Sequence, residues 1–245
     1  MIDRTILPIQ ERTGHPSNTK KFRPLLDILL AALPIFVFGF IGTKLGADTM
    51  LGGALINLAY VFAIVVAGVI LKARGTSWQE NGLAWPQKWS RTFLMALGTM
   101  AIYLVVSVVF QIIVINLVGS QAEIDQSRFN PVAGNLKMFL LMVVLSWTTI
   151  AFGEEMFFRA FIINRLGELF QGAKAQWGLS VIGSSVMFGL AHCLVEGPVG
   201  IITNGLLGLV LAVVYLRSGR NLWITIIAHA LMNTLRFVLL FIGAV

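Results

Sequence analysis

Long apolar stretches separated by short polar connections are the feature of this sequence that most restricts its fold. Seven such stretches lie near 25–43, 51–71, 92–118, 138–165, 176–194, 199–216 and 221–243. A helix needs about 20 apolar residues to cross the hydrocarbon core of a bilayer. Because 57% of the residues are hydrophobic and only 12% are charged, the chain has too little polar surface to cover a soluble globule. The sequence predicts an all-α, polytopic transmembrane helical bundle of about seven spans, or eight if the helix carrying Glu154 is broken.

Lysine and arginine residues are unevenly distributed between alternate connections. With a cytosolic N-terminus, fourteen of them fall on the cytosolic side and three, Lys44, Arg128 and Lys137, on the other, while Arg236 lies inside the last stretch. This bias predicts a multi-pass protein with its N-terminus in the cytosol, and the compact loops favour a prokaryotic plasma membrane. Because the basic residues occupy short loops between apolar runs, the net charge of +7 indicates membrane insertion and no nucleic-acid partner.

Two parts of the chain differ in composition. Residues 1–24 are polar and contain Pro and Gly, so we interpret them as a cytosolic tail. No small-residue cleavage site follows the first apolar stretch, which argues against a cleaved targeting segment. No repeat divides the remainder, so we expect one integral membrane domain over 25–245. The single cysteine, Cys193, excludes an intramolecular disulfide and a zinc site built on several thiolates.

Ionisable side chains occur inside the fourth apolar stretch, where residues 151–160 read AFGEEMFFRA. Such a side chain near the centre of a span costs about 2.5–3.5 kcal/mol, so it usually faces a cavity or a partner. Glu155 and Arg159 are one helical turn apart, and the guanidinium can hold this carboxylate ionised. Glu154 lies about 100° around the helix from Glu155 and can point into a cavity.

Two later stretches each carry a histidine and a second motif residue at the same one-turn spacing. Phe188 and His192 form one pair, and His229 and Asn233 form the other. Each pair projects from a single helical face. One intramembrane histidine often serves only as a hydrogen-bonding contact between helices. Three helices that can bring acid, base and amide groups together indicate a site for chemistry.

These residues form three motifs, EEMFFR at 154–159, FGLAH at 188–192 and HALMN at 229–233. In this order, each within an apolar stretch, they match EExxxR, FxxxH and HxxxN, the signatures of the CAAX protease and bacteriocin-processing family of intramembrane proteases. The chain resembles this family, and in particular its type II CAAX prenyl endopeptidase-like members. The resemblance covers about 138–240, which is the expected catalytic core. Each motif alone is weak, and their ordered coincidence is what is specific.

The resemblance implies an intramembrane protease that hydrolyses a peptide bond in a membrane-associated substrate, either a prenylated CAAX-type protein or a bacteriocin-like peptide. Carried over to this sequence, Glu154 and His192 activate a water molecule, while His229 and Asn233 stabilise the oxyanion. A carboxylate and an imidazole can take and relay a proton near neutral pH. Donors fixed in a low-dielectric site stabilise developing negative charge.

The resemblance implies supporting roles for Glu155, Arg159 and Phe188. Glu155 orients the site while Arg159 holds it in place. Phe188 packs in the core, with a place in a substrate pocket as the second interpretation. The residues themselves leave open which of Glu154 and Glu155 is the base.

A zinc-dependent metalloprotease would use the same side chains. Glu154, His192 and His229 are sufficient ligands for a catalytic Zn²⁺ with one open position. The sequence lacks the H-E-x-x-H helix that makes a zinc assignment specific. The favoured expectation is therefore a glutamate-dependent protease without a cofactor, with zinc as the alternative.

Other function classes explain less of the pattern. A serine protease could pair GSS at 183–185 with His229, but it leaves the carboxylates and the arginine unused. A proton-coupled transporter is expected to show an inverted repeat, which the sequence lacks. A non-catalytic immunity or scaffold protein of the same fold is the main rival. For an enzyme, the expected partners are a membrane-associated peptide or protein substrate and the lipid bilayer.

Two features outside the motifs have structural interpretations. Glu196 precedes a Gly-Pro pair and is expected to be a solvated loop charge. Gly205, Gly208 and Ala212 recur at near-helical spacing, which predicts a packing face on the sixth stretch.

Overall fold

The computed structural model describes residues 22–118 and 127–244, and all regular elements in these ranges are helical. The long helices are α1 (Arg23–Lys44), α2 (Met50–Ala73), α3 (Trp89–Val118), α4 (Leu136–Leu169), α5 (Gln176–Arg217) and α6 (Leu222–Phe241). Short helical turns at Gln79–Leu83 and Ser127–Val132 lie in the connections. The predicted all-α bundle is confirmed, and most of the predicted tail at 1–24 lies outside the described residues.

Six helices in the described ranges are long and apolar enough to cross a membrane: Arg23–Lys44, Met50–Ala73, Trp89–Ile113, Leu136–Leu169, Glu196–Arg217 and Leu222–Phe241. The remaining predicted stretch, 176–194, which is the fifth in chain order, is helical as the first part of α5 but is not among the six. Its polar side chains, including Gln176, Ser180, Ser184 and His192, make it less apolar than the others. The helix that carries Glu154 is a single continuous run, so the break required for an eighth span is absent.

α4 is the central helix of the bundle. Residues 153–167 are buried throughout, including Phe157, Phe158 and Phe161, which are at most 1% exposed. α1 and α2 pack against one side of this segment, and α5 and α6 pack against the other. A side chain within 153–167 is therefore shielded from both lipid and water, which is the setting of the polar residues at 154–159.

α5 is a helical hairpin that reverses at Gly197. This residue has φ 68° and ψ −168°, a conformation that is essentially restricted to glycine. A Cβ on Gly208 would lie 3.3 Å from Cα of Ser185, although these residues are 23 positions apart. The arms 176–196 and 198–217 therefore run side by side. The predicted packing face at Gly205 and Gly208 contacts the preceding arm.

Gly189 sits where the two arms of α5 are closest, because a Cβ there would overlap the carbonyl oxygen of Ile201. We expect Gly189→Ala to destabilise the protein by roughly 1–3 kcal/mol, since the backbones must move apart. The measurement is the thermal denaturation midpoint in detergent micelles. Gly98→Ala is the matched control, because nothing lies within 4 Å of a Cβ at Gly98 and a helical Gly→Ala change is otherwise favourable. Equal midpoints for the two variants would contradict the close packing.

Candidate active site

Glu155 and Arg159 form a fully buried ion pair. Nε of Arg159 lies 3.1 Å from Oε2 of Glu155, and both side chains are at most 1% exposed. The guanidinium also approaches α5, where Nη2 lies 3.4 Å from the carbonyl oxygen of Gly208. Its Cζ lies 4.6 Å from the centre of the Phe188 ring. Because removal of one partner would leave the other as an uncompensated buried charge, each group makes the burial of the other tolerable.

His229 on α6 is bound to the same carboxylate. Its Nδ1 lies 3.0 Å from Oε1 of Glu155. An ionised carboxylate only accepts hydrogen bonds, so we assign the proton to Nδ1, which donates it. Glu155 thus contacts Arg159 with one oxygen and His229 with the other, and it fixes the orientation of the imidazole ring.

Glu154 faces the other ring nitrogens of both histidines. Its Oε1 lies 3.9 Å from Nε2 of His192, and its Oε2 lies 3.8 Å from Nε2 of His229. These separations are longer than a hydrogen bond, so the three side chains surround a common point without bonding one another. Oε2 of Glu154 has no hydrogen-bond partner among the described residues. Oε2 of Glu155 also makes no hydrogen bond with a described residue, but it lies 3.1 Å from Nε of Arg159. Of the two glutamates, Glu154 is therefore the one whose carboxylate forms no ion pair with an arginine among the described residues.

His192 is oriented by its own helix. Its Nδ1 lies 2.8 Å from the carbonyl oxygen of Phe188. Because a carbonyl only accepts, Nδ1 donates and Nε2 presents its lone pair towards Glu154. The Phe188 ring contacts both histidines, with ring centres 4.7 Å from His192 and 6.2 Å from His229. Phe188 is 1% exposed and holds the two imidazoles apart.

Two π-helical turns flank the glutamates on α4. Ser146–Ile150 and Met156–Ile162 are π-helical, and the short α-helical piece Ala151–Glu155 lies between them. A π-turn adds a residue to the helical turn, so side chains on its two sides face directions that a regular α-helix would not give. Such turns occur often at functional sites.

A comparison with known protein families covers the part of the chain that contains these residues. Residues 136–235 match the family model described as type II CAAX prenyl endopeptidase Rce1-like. The chain carries an Rce1-like domain. The family predicted from the three motifs is confirmed over this region, which contains all three. No curated protein and no solved structure matches the chain.

Within the Rce1-like domain, six of the seven predicted site residues contact one another: Glu154, Glu155, Arg159, Phe188, His192 and His229. Asn233 lies one helical turn after His229 and is half-buried. It makes no hydrogen bond with a described residue. Its predicted contribution to an oxyanion site stays a prediction.

Two contributors to the Rce1-like site were not recognised in the sequence. Gly208 was predicted only as a packing residue, but its carbonyl accepts from Arg159. Thr225 is fully buried on α6, one turn before His229, and lies against Glu155. The one-turn spacing from His229 was a signal for Thr225. A backbone carbonyl such as that of Gly208 leaves no signal in side-chain patterns.

Zinc stays the alternative to a mechanism without a cofactor. Among the residues that the structure describes, no group of three or more His, Cys, Asp and Glu side chains is placed to hold a metal ion. Glu154, His192 and His229, the ligands of the zinc alternative, nevertheless lie within 4 Å of one another through Glu154. Dependence on a metal stays a prediction.

The expectation that Glu196 is a solvated loop charge is wrong. Glu196 is 5% exposed, and it accepts a 2.6 Å hydrogen bond from Nδ2 of Asn204. Nη1 of Arg236 lies 3.5 Å from its other oxygen. The reversal at Gly197 turns what sequence spacing suggested was a loop into a buried corner. This second ion pair holds the end of the α5 hairpin against α6.

We expect Arg159→Met to destabilise the protein by roughly 3–5 kcal/mol, because Glu155 is then a buried charge without its cation. The double variant Arg159→Met with Glu155→Gln should recover part of this loss, since it removes the stranded charge. Thermal denaturation in detergent measures both. A double variant less stable than the single one would show that the ion pair does not act in this way.

Proposed function

We propose that this protein is an intramembrane endopeptidase, a hydrolase that cleaves a peptide bond in a membrane-associated substrate. The observation that carries the proposal is the position of Glu154, whose two oxygens face Nε2 of His192 and Nε2 of His229. Glu155 contacts Arg159 and His229 with its two oxygens. The Rce1-like family assignment supports protease activity in general terms.

Glu154 and His192 activate the attacking water in this mechanism. The carboxylate of Glu154 takes a proton from water as the water oxygen bonds to the scissile carbonyl carbon. His192 offers Nε2 as a second acceptor on the same side, because its Nδ1 already donates to Phe188. His192 is also the more exposed histidine, with 16% of its side chain accessible, which indicates the side from which water arrives. The proton then passes to the leaving amine.

His229 and Asn233 stabilise the oxyanion that forms on the carbonyl oxygen. With Nδ1 donating to Glu155, His229 donates from Nε2 only when it carries a second proton. In that doubly protonated form, Nε2 donates to the oxyanion while Nδ1 stays on Glu155. Asn233 supplies an amide N–H from the next turn of the same helix face. Fixed donors in a site of low dielectric are well suited to this charge.

The substrate is a membrane-associated peptide or protein, of the prenylated CAAX type named by the family or of a bacteriocin-like type. Six apolar helices support an integral, multi-pass membrane protein. We infer a cytosolic N-terminus in a prokaryotic plasma membrane from the distribution of Lys and Arg between the connections. The non-catalytic immunity or scaffold protein and the zinc-dependent protease are the competing outcomes of the first experiment below.

We expect Glu154→Gln to lower kcat/KM by about 10²–10⁴, because the amide accepts no proton from water. The measurement is cleavage of a panel of fluorogenic, membrane-inserted peptides, prenylated and unprenylated, by purified full-length protein in liposomes. Asp48→Asn is the matched control, since Asp48 is exposed and lies at the opposite end of α1 from the buried core. Addition of a zinc chelator should leave the wild-type rate unchanged.

Three other results would contradict this proposal in different ways. Loss of wild-type activity in the chelator, restored by Zn²⁺, would favour the metalloprotease. Cleavage by Glu154→Gln at the wild-type rate would exclude Glu154 as the base. Folded wild-type protein that cleaves no member of the panel would favour the immunity or scaffold protein.

We expect Asn233→Ala to lower kcat by about 10²–10³ with little change in KM, because an oxyanion donor acts in the transition state. Single-substrate kinetics with the peptide cleaved best by wild type provide the measurement. Asn57→Ala on α2 serves as control, because Asn57 bonds only to its own helix at Gly53. A change confined to KM would instead assign Asn233 to substrate binding.

A further inference from the structure

A cleft of about 370 Å³ lies at one end of the bundle, away from the candidate active site. Its wall includes three arginines, Arg74, Arg165 and Arg220, together with Trp177. On α4, Arg165 follows Glu155 by ten residues, which corresponds to roughly 15 Å along the helix. The proposed peptidase mechanism uses none of these cleft residues.

The cleft is located where several spans end. Arg74 directly follows α2, and Arg165 lies four residues before the end of α4 at Leu169. Trp177 opens α5, and Arg220 lies in the connection between α5 and α6. The ends of apolar spans coincide with the boundary between hydrocarbon and water. The cleft therefore lies at the depth of lipid phosphate groups.

Arg220 is the cation of the cleft that no carboxylate neutralises among the described residues. Its Cζ lies 4.7 Å from the centre of the Trp177 ring, which fixes the guanidinium by a cation–π contact. Its backbone has φ 63°, a left-handed conformation that is uncommon for a residue other than glycine. The carbonyl of Arg220 packs so closely on Gly82 that a Cβ there would overlap it. These contacts hold Arg220 at the wall of the cleft.

Arg165 contributes a donor from a buried position. Its side chain is 4% exposed, with Nη2 2.7 Å from Glu168 and Nη1 3.7 Å from Asp27. Its Nε is buried and has no hydrogen-bond partner among the described residues. Buried polar atoms in native proteins nearly always have a partner, so this N–H is a donor without an acceptor beside the cleft.

The carboxylates near the cleft are already bound by protein donors. Asp27 accepts from Nε and Nη2 of Arg74 at 3.0 and 2.6 Å. Glu80 accepts from the hydroxyl of Thr76 and from Ser77, and these bonds lower its pKa. With Glu168 on Arg165, every lining carboxylate has a donor, whereas Arg220 has no side-chain acceptor among the residues that the structure describes.

We propose that this cleft binds a phosphate-bearing anion between Arg220 and Arg165. A guanidinium fork matches phosphate oxygens in geometry and charge. Basic pockets between membrane helices at the interface are typical sites for acidic lipid head groups. The phosphate belongs either to an anionic phospholipid or to a small soluble phosphate, and the experiment has an arm for each.

The test uses purified full-length protein in detergent micelles and follows the thermal denaturation midpoint. Phosphatidylglycerol, phosphatidylcholine and inorganic phosphate are the three additives. We expect phosphatidylglycerol to raise the wild-type midpoint by about 5 °C at saturation, and the other two to raise it less. In Arg220→Asn the increase should be lost. Arg217→Asn, which changes an exposed arginine at the end of α5, should keep it.

The Arg220 variants are expected to fold like the wild type. Asn tolerates the left-handed conformation better than Arg, and Arg220→Gly adopts it without steric cost. Both should denature at or near the wild-type midpoint without additive. An increase with inorganic phosphate that is lost in the Arg220 variants would identify a soluble phosphate as the ligand. No increase in wild type with any additive, or an equal increase in wild type and both Arg220 variants, would overturn the proposal.

Discussion

The burial of two adjacent carboxylates in a medium of low dielectric is the constraint on which the rest of this structure depends. Arg159 balances the charge of Glu155 at 3.1 Å. Among the described residues, no arginine or lysine forms an ion pair with Glu154, which faces His192 and His229 instead. In the proposed reaction a proton moves between water, Glu154 and the leaving amine, so the acid–base chemistry is assigned to the carboxylate that makes no ion pair with Arg159.

The helices outside the matched region are part of the site's support. α1 and α2 precede residue 136, where the Rce1-like match begins, yet they cover one side of α4. Tyr60 on α2 is buried against Phe158, and a Cβ on Gly153 would lie 3.3 Å from the Ile64 side chain. This close cover keeps water away from Glu155 on that side. The predicted site residues on α4, α5 and α6 therefore depend on helices that carry no motif.

Sequence patterns were most informative for polar side chains, whose burial in an apolar environment has a high free-energy cost. The polar and charged side chains of the EExxxR, FxxxH and HxxxN motifs were found because such groups are unusual in an apolar run, and Phe188 was found by its one-turn spacing from His192. All of these side chains but Asn233 contact one another. The burial of the reversal at Gly197 was not predicted, because sequence spacing does not show whether a Gly-Pro pair lies in solvent or in a buried corner. Glu196 was misassigned for that reason. The π-turns around Ala151–Glu155 have no residue signature. The Lys and Arg residues counted on the cytosolic side included Arg159 and Arg165, both of which are buried and paired. Without these two, twelve Lys and Arg residues lie on the cytosolic side and three on the other.

Burial and partners determine the role of an arginine in this structure, as a comparison of Arg159, Arg165 and Arg220 shows. Arg159 is fully buried, and its guanidinium is shared between Glu155, Gly208 and Phe188, so it can only hold the site in place. Arg165 is buried between two carboxylates with one N–H left over. Arg220 sits at the interface on an aromatic ring, with no carboxylate beside it among the described residues. Along this series the guanidinium gains access to solvent and loses its acidic partners. A buried cation requires an anion nearby. Arg159 therefore supports the structure through Glu155, whereas Arg220 is assigned to ligand binding.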